Sequence, residues 1–358
     1  MGQWGRSEYA ILGTSCDKIT AFVSNINKHI SPYLRLAYMD ASHSSETYTN
    51  ERLIYNTSHD NHLEIHRHEP DNKYNYRRLL NDSDIQLING NHFLAEQQIV
   101  ILGDKKESLS KKTNRLTNLK FIITTDDHAQ PWEFLQPHIK LETQIISIHD
   151  IDILAQKFVT NFENKIALNA IILAGGKSQR MGFDKSTIDY HGDSQVNYLS
   201  TLLNTICNDV FVSMRSDQEE QFAVPRINDS FVGMGPMGGI LSAFKQNTNA
   251  AWLSVATDLP FINKESIQEL LSKRDRSKIA TCYIRSDQEF PDPLFTIWEP
   301  KAYFHLLSYL AFGYSCPRKV LINSDVKVIP IKDDRILMNV NDQNQLQEAK
   351  DILQSSSK

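Results

Sequence analysis

Short apolar runs that end in glycine or polar turns recur along this chain, with stretches of helical periodicity between them. Glu8-Tyr9-Ala10-Ile11-Leu12 runs into Gly13-Thr14 and predicts a strand entering a glycine turn, and helical spacing follows over Ala21 to Ile30. Residues 42 to 75 are polar and predict a solvated loop. Strands ending in turns are predicted again over Asp84 to Phe93, Gln98 to Leu102, Leu119 to Thr125 and from Ile145, and a helix over Ile153 to Phe162. Ala170 to Leu173 opens a second series. It continues with a short strand and turn over Ile188 to Gly192, a helix over Val196 to Ile206 and a strand over Asp209 to Ser213. A glycine-rich turn, Gly233 to Gly239, then opens a helix, and Ala251 to Thr257 reads as a strand. Strands separated by helix-length stretches imply parallel α/β sheets. The polar patch Asn161 to Lys165 divides the series, so the expectation is two three-layer α/β domains, 1–165 and 166–358.

Composition narrows the class. With 358 residues, 41% apolar and 23% charged, the chain suits a soluble globular protein of two domains. Its net charge of −5 gives no basic footprint for nucleic acid, and no apolar run approaches spanning length. The opening MGQWGRSEYA shows no charged-then-apolar leader. Cys16, Cys207, Cys282 and Cys316 are scattered and make no C-x-x-C pair. The expectation is a cytoplasmic protein with neither nucleic-acid nor membrane partners.

The candidate chemistry concentrates after the Ala170 strand, in Leu173-Ala174-Gly175-Gly176-Lys177-Ser178-Gln179-Arg180-Met181-Gly182-Phe183-Asp184-Lys185. A lone Gly-Gly is usually a turn, and a lone cation usually a solvated surface group. Together, a tight turn at a strand's carboxyl end and three following cations make a phosphate cradle. The run fits neither the Walker pattern nor G-x-G-x-x-G. Gly175, Arg215 and Asp258 each follow the carboxyl end of an inferred parallel strand, the edge where open α/β sheets bind ligands. A carboxylate facing a triphosphate there needs a cation between them, so Asp258 reads as a Mg²⁺ ligand, against the plainer reading of a cap before Pro260. In the first half, Gly13, Lys18 and Thr20 outline a P-loop whose second glycine is missing and whose Lys and Thr are split by Ile19. His62, His66 and His68 lie close in sequence but among polar residues with no Cys, which favours loop over metal site.

These motifs resemble a family. L-A-G-G-x-S-x-R-M-G-x-D-K is similar to the signature of the molybdenum cofactor guanylyltransferases, the MobA-like nucleotidyltransferases. Asp229 followed by Gly235-Pro236-Met237-Gly238-Gly239, Thr257-Asp258-Leu259-Pro260-Phe261, Pro291-Asp292-Pro293-Leu294-Phe295 and Asn339-Val340-Asn341-Asp342 extend the likeness over 166 to 358. The resemblance implies a Rossmann-like nucleotidyltransferase fold and transfer of GMP from GTP to molybdopterin, with release of pyrophosphate. It places Leu173, Ala174, Gly175 and Gly176 against GTP, with Lys185, Asp229 and Asp258 on the nucleotide. Asp258 would also hold Mg²⁺, and Arg180 and Lys185 would stabilise charge in catalysis. Ser213 and Arg215 stand where the family often has Asn, near the ribose or base. Pro291, Asp292 and Pro293 fall on the pterin side. Molybdoenzymes or their chaperones are the implied acceptors. A cytidylyl or sugar-phosphate nucleotidyltransferase, or a non-catalytic cofactor carrier, are the alternatives. The first half resembles a degenerate MobB-like P-loop GTP-binding partner, through Ile11-Leu12-Gly13-Thr14-Ser15, Ile88-Asn89-Gly90 and Ile148-His149-Asp150-Ile151-Asp152.

Overall fold

Glu8–Leu12, buried at all five positions, forms β1 because a strand covered on both faces needs no polar alternation. The chain continues through α1 (Cys16–Ile30), β2 (Leu36–Met39), β3 (Tyr55–His59), β4 (His62–His66), α2 (Lys73–Leu79), β5 (Ile85–Asn89) and β6 (Gln97–Ile101). It then passes through α3 (Lys106–Ser110), β7 (Leu119–Thr124), β8 (Gln144–Ser147) and α4 (Ile151–Lys165). Six of these strands make one sheet, in the order β2-β5-β1-β6-β7-β8. All its pairings are parallel. Ile19, Phe22, Val23, Ile26 and Ile30 give α1 one buried face at helical spacing. Leu12, Val100 and Ile122 pack on one side of the sheet with Trp132 and Leu135. Tyr9 and Phe121 face Phe158 of α4 on the other. Glu8 is buried because its carboxylate accepts the N–H groups of Gln3, Trp4, Gly5 and Glu96.

In the computed structural model, which describes residues 2–41, 55–59, 62–66, 73–175, 185–218 and 222–356, this first unit is Met1–Glu163 and the second Asn164–Lys358. For 55–59, 62–66, Lys185 and Ser356 the description is of the backbone alone. Two sequence expectations are corrected. Residues 55–66 are not loop throughout, because β3 and β4 form an antiparallel ladder with His59 opposite His62. On a strand, His62 and His66 stand about 13 Å apart, too far for one ion. His68 lies outside the described residues. Residues 188–192 form no strand but a bend, closed by a bridge between Asp189 and Ser194.

The second unit comprises β9 (Leu168–Leu173), α5 (Gln195–Asn204), β10 (Val210–Met214), β11 (Arg226–Asn228), α6 (Pro236–Gln246), β12 (Ala251–Ala256) and α7 (Lys264–Ser272). It continues with β13 (Ala280–Ile284), β14 (Phe295–Trp298), α8 (Ala302–Ala311), α9 (Pro317–Ile322), β15 (Lys327–Pro330) and α10 (Gln343–Ser356). Its seven-stranded sheet runs β11-β10-β9-β12-β14-β13-β15. Only β14 runs antiparallel, against β12 and β13. Central β9 alternates its faces: Ala170 and Ile172 join the layer of α5 and α7, and Ile171 joins that of α6, α8 and α9. This makes three layers, with the carboxyl ends of β10, β9 and β12 side by side.

Candidate functional site

β9 pairs in parallel with β10 on one side and β12 on the other. Their carboxyl ends therefore deliver Leu173-Ala174-Gly175, Arg215 and Asp258 to one edge of the sheet. The turn after β9 is locked from its neighbours. The Leu173 carbonyl accepts from Thr257 N at 3.3 Å, the Ala174 carbonyl from Gln218 Nε2 at 3.1 Å, and the Gly175 carbonyl from Arg215 Nη1 at 2.9 Å. Gln218 also accepts the Arg215 N–H at 2.8 Å, so it ties the two turns together. These three backbone carbonyls thus already serve the fold. The side chain of Gln218 had no motif to announce it.

Asp229 follows β11, and its N–H bonds the Met214 carbonyl at 3.0 Å. Its carboxylate accepts the Ser213 hydroxyl. A Cβ on Gly175 would lie 3.1 Å from Asp229 Oδ2, so the glycine leaves the carboxylate a shallow open face. Burial raises the Asp229 pKa above the ordinary carboxylate value, opposed by the Ser213 hydroxyl and the charges of Arg215 and Arg226. A carboxyl group raised by burial gains from a cation brought close to it.

The glycine-rich turn carries α6 onto this edge. Gly235 has φ +55°, a left-handed backbone that places Pro236 at the start of the helix. Gly239 serves closeness instead: a Cβ there would fall 2.6 Å from Ser213 Oγ and 2.7 Å from Leu173 Cδ2. The helix therefore presses directly on the residues that shape the site.

Asp258 sits on a turn held by its backbone. The Val340 N–H bonds the Asp258 carbonyl at 2.9 Å, Gln195 Nε2 the Leu259 carbonyl at 3.2 Å, and the Tyr198 hydroxyl the Ile262 carbonyl at 3.2 Å. His191 Nε2 lies 2.9 Å from the Pro260 carbonyl and donates to it in the neutral ring. The His191 ring stacks on Tyr198 at 3.7 Å. Burial holds the His191 pKa below its ordinary value, against the bond to Pro260 and the charge of Asp189. None of these clamps is visible as a sequence motif, because each ends on a distant backbone carbonyl, reached by a side chain from His191, Gln195 and Tyr198 and by a backbone N–H from Val340.

The PDP segment has a local duty as well. Asp292 Oδ1 accepts from Leu294 N at 2.8 Å and Phe295 N at 3.0 Å, which shapes the entry to β14. Burial raises the Asp292 pKa, opposed by those bonds and by Arg318 and Arg285. With Arg285, Phe290, Arg318 and Asn339 it lines a cavity of about 350 Å³, whereas Pro291 and Pro293 are buried and not part of its lining. Gly176, Arg180 and the side chain of Lys185 lie outside the described residues. Lys185 itself begins a short 3₁₀ turn, Lys185–Thr187.

No group of three or more His, Cys, Asp or Glu side chains converges on a metal position among the described residues. That still suits Mg²⁺ in chemistry, since Mg²⁺ takes one or two hard carboxylate oxygens and draws its remaining ligands from phosphates and water. Asp258 supplies such an oxygen donor, half-buried at the strand edge.

In the first unit, Asp104 takes up the polar groups of the turn after β1. Its Oδ1 accepts from Thr14 Oγ1 at 2.9 Å and Ser15 N at 3.0 Å, and Lys18 Nζ lies 3.7 Å from Oδ2. Burial would raise the Asp104 pKa, but the bonds from Thr14 and Ser15 and the charge of Lys18 outweigh it and lower it.

The profile of the MobA-like NTP transferase domain matches residues 170–325. A molybdenum cofactor biosynthesis bifunctional protein of Synechocystis sp. is 35% identical over 179 residues, which cover 49% of this chain and 51% of that protein. The chain thus spans about half the length of that relative. A probable molybdenum cofactor guanylyltransferase of Clostridium perfringens is 32% identical over 135 residues, 37% of this chain and 67% of the relative. Among solved structures, molybdopterin-guanine dinucleotide biosynthesis protein A of Archaeoglobus fulgidus is similar over 52% of this chain and 99% of its own, at 19% identity and a TM-score of 0.45.

Proposed function

Since the chain belongs to the MobA-like NTP transferases, the family of the molybdenum cofactor guanylyltransferases, we propose that it transfers GMP from GTP to the terminal phosphate of molybdopterin. The phosphate oxygen of the acceptor attacks the α-phosphorus, the bond from that phosphorus to the bridging oxygen breaks, and pyrophosphate leaves. One observation carries the reading. Three adjacent parallel strands bring a locked glycine turn, the Ser213–Asp229 pair and Asp258 to a single edge.

Such a transfer needs no protein nucleophile, because positioning and charge neutralisation are enough. The turn at Gly175, fixed by Arg215 and Gln218, holds a shape against which the nucleotide is oriented. Ser213 keeps the Asp229 carboxylate aimed at the open face beside Gly175. The clamps from His191, Gln195 and Val340 keep Asp258 from moving as charge develops. Mg²⁺, when bound at Asp258, supplies charge neutralisation on the phosphates. Lys185 and Arg180 are proposed to share that task. Phe290, Asp292 and Arg318 line the proposed acceptor cavity. Molybdoenzymes or their chaperones are the proposed recipients of the product, and the cytoplasm is its proposed place. No helix among the described residues is long and apolar enough to cross a membrane.

The test is mass spectrometry of the pterin after incubation with Mg²⁺ and either GTP or CTP. A guanine dinucleotide product with stoichiometric pyrophosphate is expected. A cytosine product would move the enzyme to the cytidylyl class, and no pyrophosphate with either nucleotide would favour a carrier.

A further inference from the structure

Four residues clamp the turn that bears Asp258, and a fifth lies among them with its polar atom unused. Tyr190 is only 9% exposed. Its ring packs in a small cluster with Val340, Leu346 and Phe261. Val340 donates its N–H to the Asp258 carbonyl, so the ring rests against the segment that carries Asp258. The Tyr190 hydroxyl oxygen is fully buried and has no hydrogen-bond partner among the described residues. Burial pushes the Tyr190 pKa up, and the neighbouring Asp258 charge pushes it further.

A buried hydroxyl without a bond destabilises the fold. The packing does not call for it, since phenylalanine fills the same volume. Asp189 and His191, its immediate neighbours along the chain, both place polar atoms in bonds. Buried polar atoms left without partners call for an explanation, and a missing ligand is one.

We propose that Tyr190 is a positioning residue for the nucleotidyl transfer, whose hydroxyl donates to the Asp258 carboxylate when nucleotide and divalent cation are bound. One carboxylate oxygen then turns to the cation and the other receives the tyrosine O–H. Such a partner behind a metal-binding carboxylate fixes its orientation, and removing one typically costs 10–100-fold in metal affinity. The inference rests on the reading of Asp258 as the carboxylate on the metal side.

The experiment compares the full chain with its Tyr190→Phe variant. Calorimetric titration with GTP across a Mg²⁺ series gives the cation dependence of binding, and scanning calorimetry of the ligand-free proteins gives their thermal midpoints. The variant is expected to need about 10-fold more Mg²⁺ for half-maximal GTP binding. Its GTP affinity in EDTA should match that of the parent, and its ligand-free midpoint should be equal or higher. A raised midpoint with unchanged Mg²⁺ dependence would overturn the inference, because the hydroxyl would then be a packing accident. A lowered midpoint together with weaker binding would overturn it too, as a purely structural role. If the parent chain itself binds GTP with no dependence on Mg²⁺, the reading of Asp258 fails and takes the inference with it. The parent titration alone reveals that case.

Discussion

Replacing Gly239 by alanine tests whether α6 is pressed onto the site as closely as the geometry requires. The new methyl would sit 2.6 Å from Ser213 Oγ and 2.7 Å from Leu173 Cδ2. Comfortable contact between carbons is about 3.5–4.0 Å, so roughly 1 Å must be found. Leu173 Cδ2 ends a flexible side chain and can turn away. Ser213 Oγ cannot move without releasing Asp229, whose carboxylate accepts it. Overpacking of this kind costs about 1–3 kcal/mol. Alanine returns about 1 kcal/mol through helix propensity. If Ser213 rotates away, its bond to a charged group is lost, at about 1.5–3 kcal/mol. The net is a destabilisation of about 2 kcal/mol, or roughly 4–8 °C in the thermal midpoint of the second unit. GTP affinity should fall about tenfold for each 1.4 kcal/mol by which Asp229 is mispositioned. Scanning calorimetry and GTP titration read both quantities. The Ser213→Ala, Gly239→Ala double variant removes the atom that clashes, and its coupling energy should exceed about 0.5 kcal/mol. A midpoint that rises by the propensity gain alone, with unchanged GTP affinity, would refute the reasoning.

Asp258→Ala should lower turnover by several orders of magnitude, since several kcal/mol of charge neutralisation is lost, while the thermal midpoint stays near that of the parent; near-normal turnover at low Mg²⁺ would remove Asp258 from the site. Burial depresses the folded-state pKa of His191 below its ordinary 6.5, so its contribution to stability is present above about pH 6.5 and is lost as pH falls through the lower folded value. The midpoint of the second unit should therefore drop as pH falls below about 6.5, less steeply in His191→Gln, and equal slopes in the two proteins would contradict this. With the Thr14 hydroxyl and Ser15 N–H already bonded to Asp104, the Asp258→Ala chain should show no Mg²⁺-dependent GTPase activity; a rate that disappears when Lys18→Ala is added would make the first unit a hydrolase.

The alternation of apolar runs with helical stretches was enough to place β1, β5, β6, β7 and β8 of the first sheet and β9, β10 and β12 of the second, because a strand buried on two faces must be apolar almost throughout, but it did not place the equally buried β13 and β14. The order of glycines, cations and carboxylates at strand ends was enough to put Gly175, Arg215 and Asp258 on one edge, since parallel strands share their carboxyl side. Edge elements were less legible. β2, β11 and β15 are short and partly exposed, and β3 and β4 lie in a polar stretch, so their composition resembles that of loops. Tertiary structure alone decided what holds the site. Gln218, Gln195, His191 and Val340 act through backbone atoms 44 to 82 residues away, and hydrogen bonding to a carbonyl leaves no signature in the sequence of either partner. The need for Gly239 likewise came from the closeness of a helix to two strands rather than from its own backbone angles. The burial that isolates the Tyr190 hydroxyl depends on a cluster closed by Val340 and α10, about 150 residues further along the chain, which leaves that hydroxyl without a hydrogen-bond partner among the described residues.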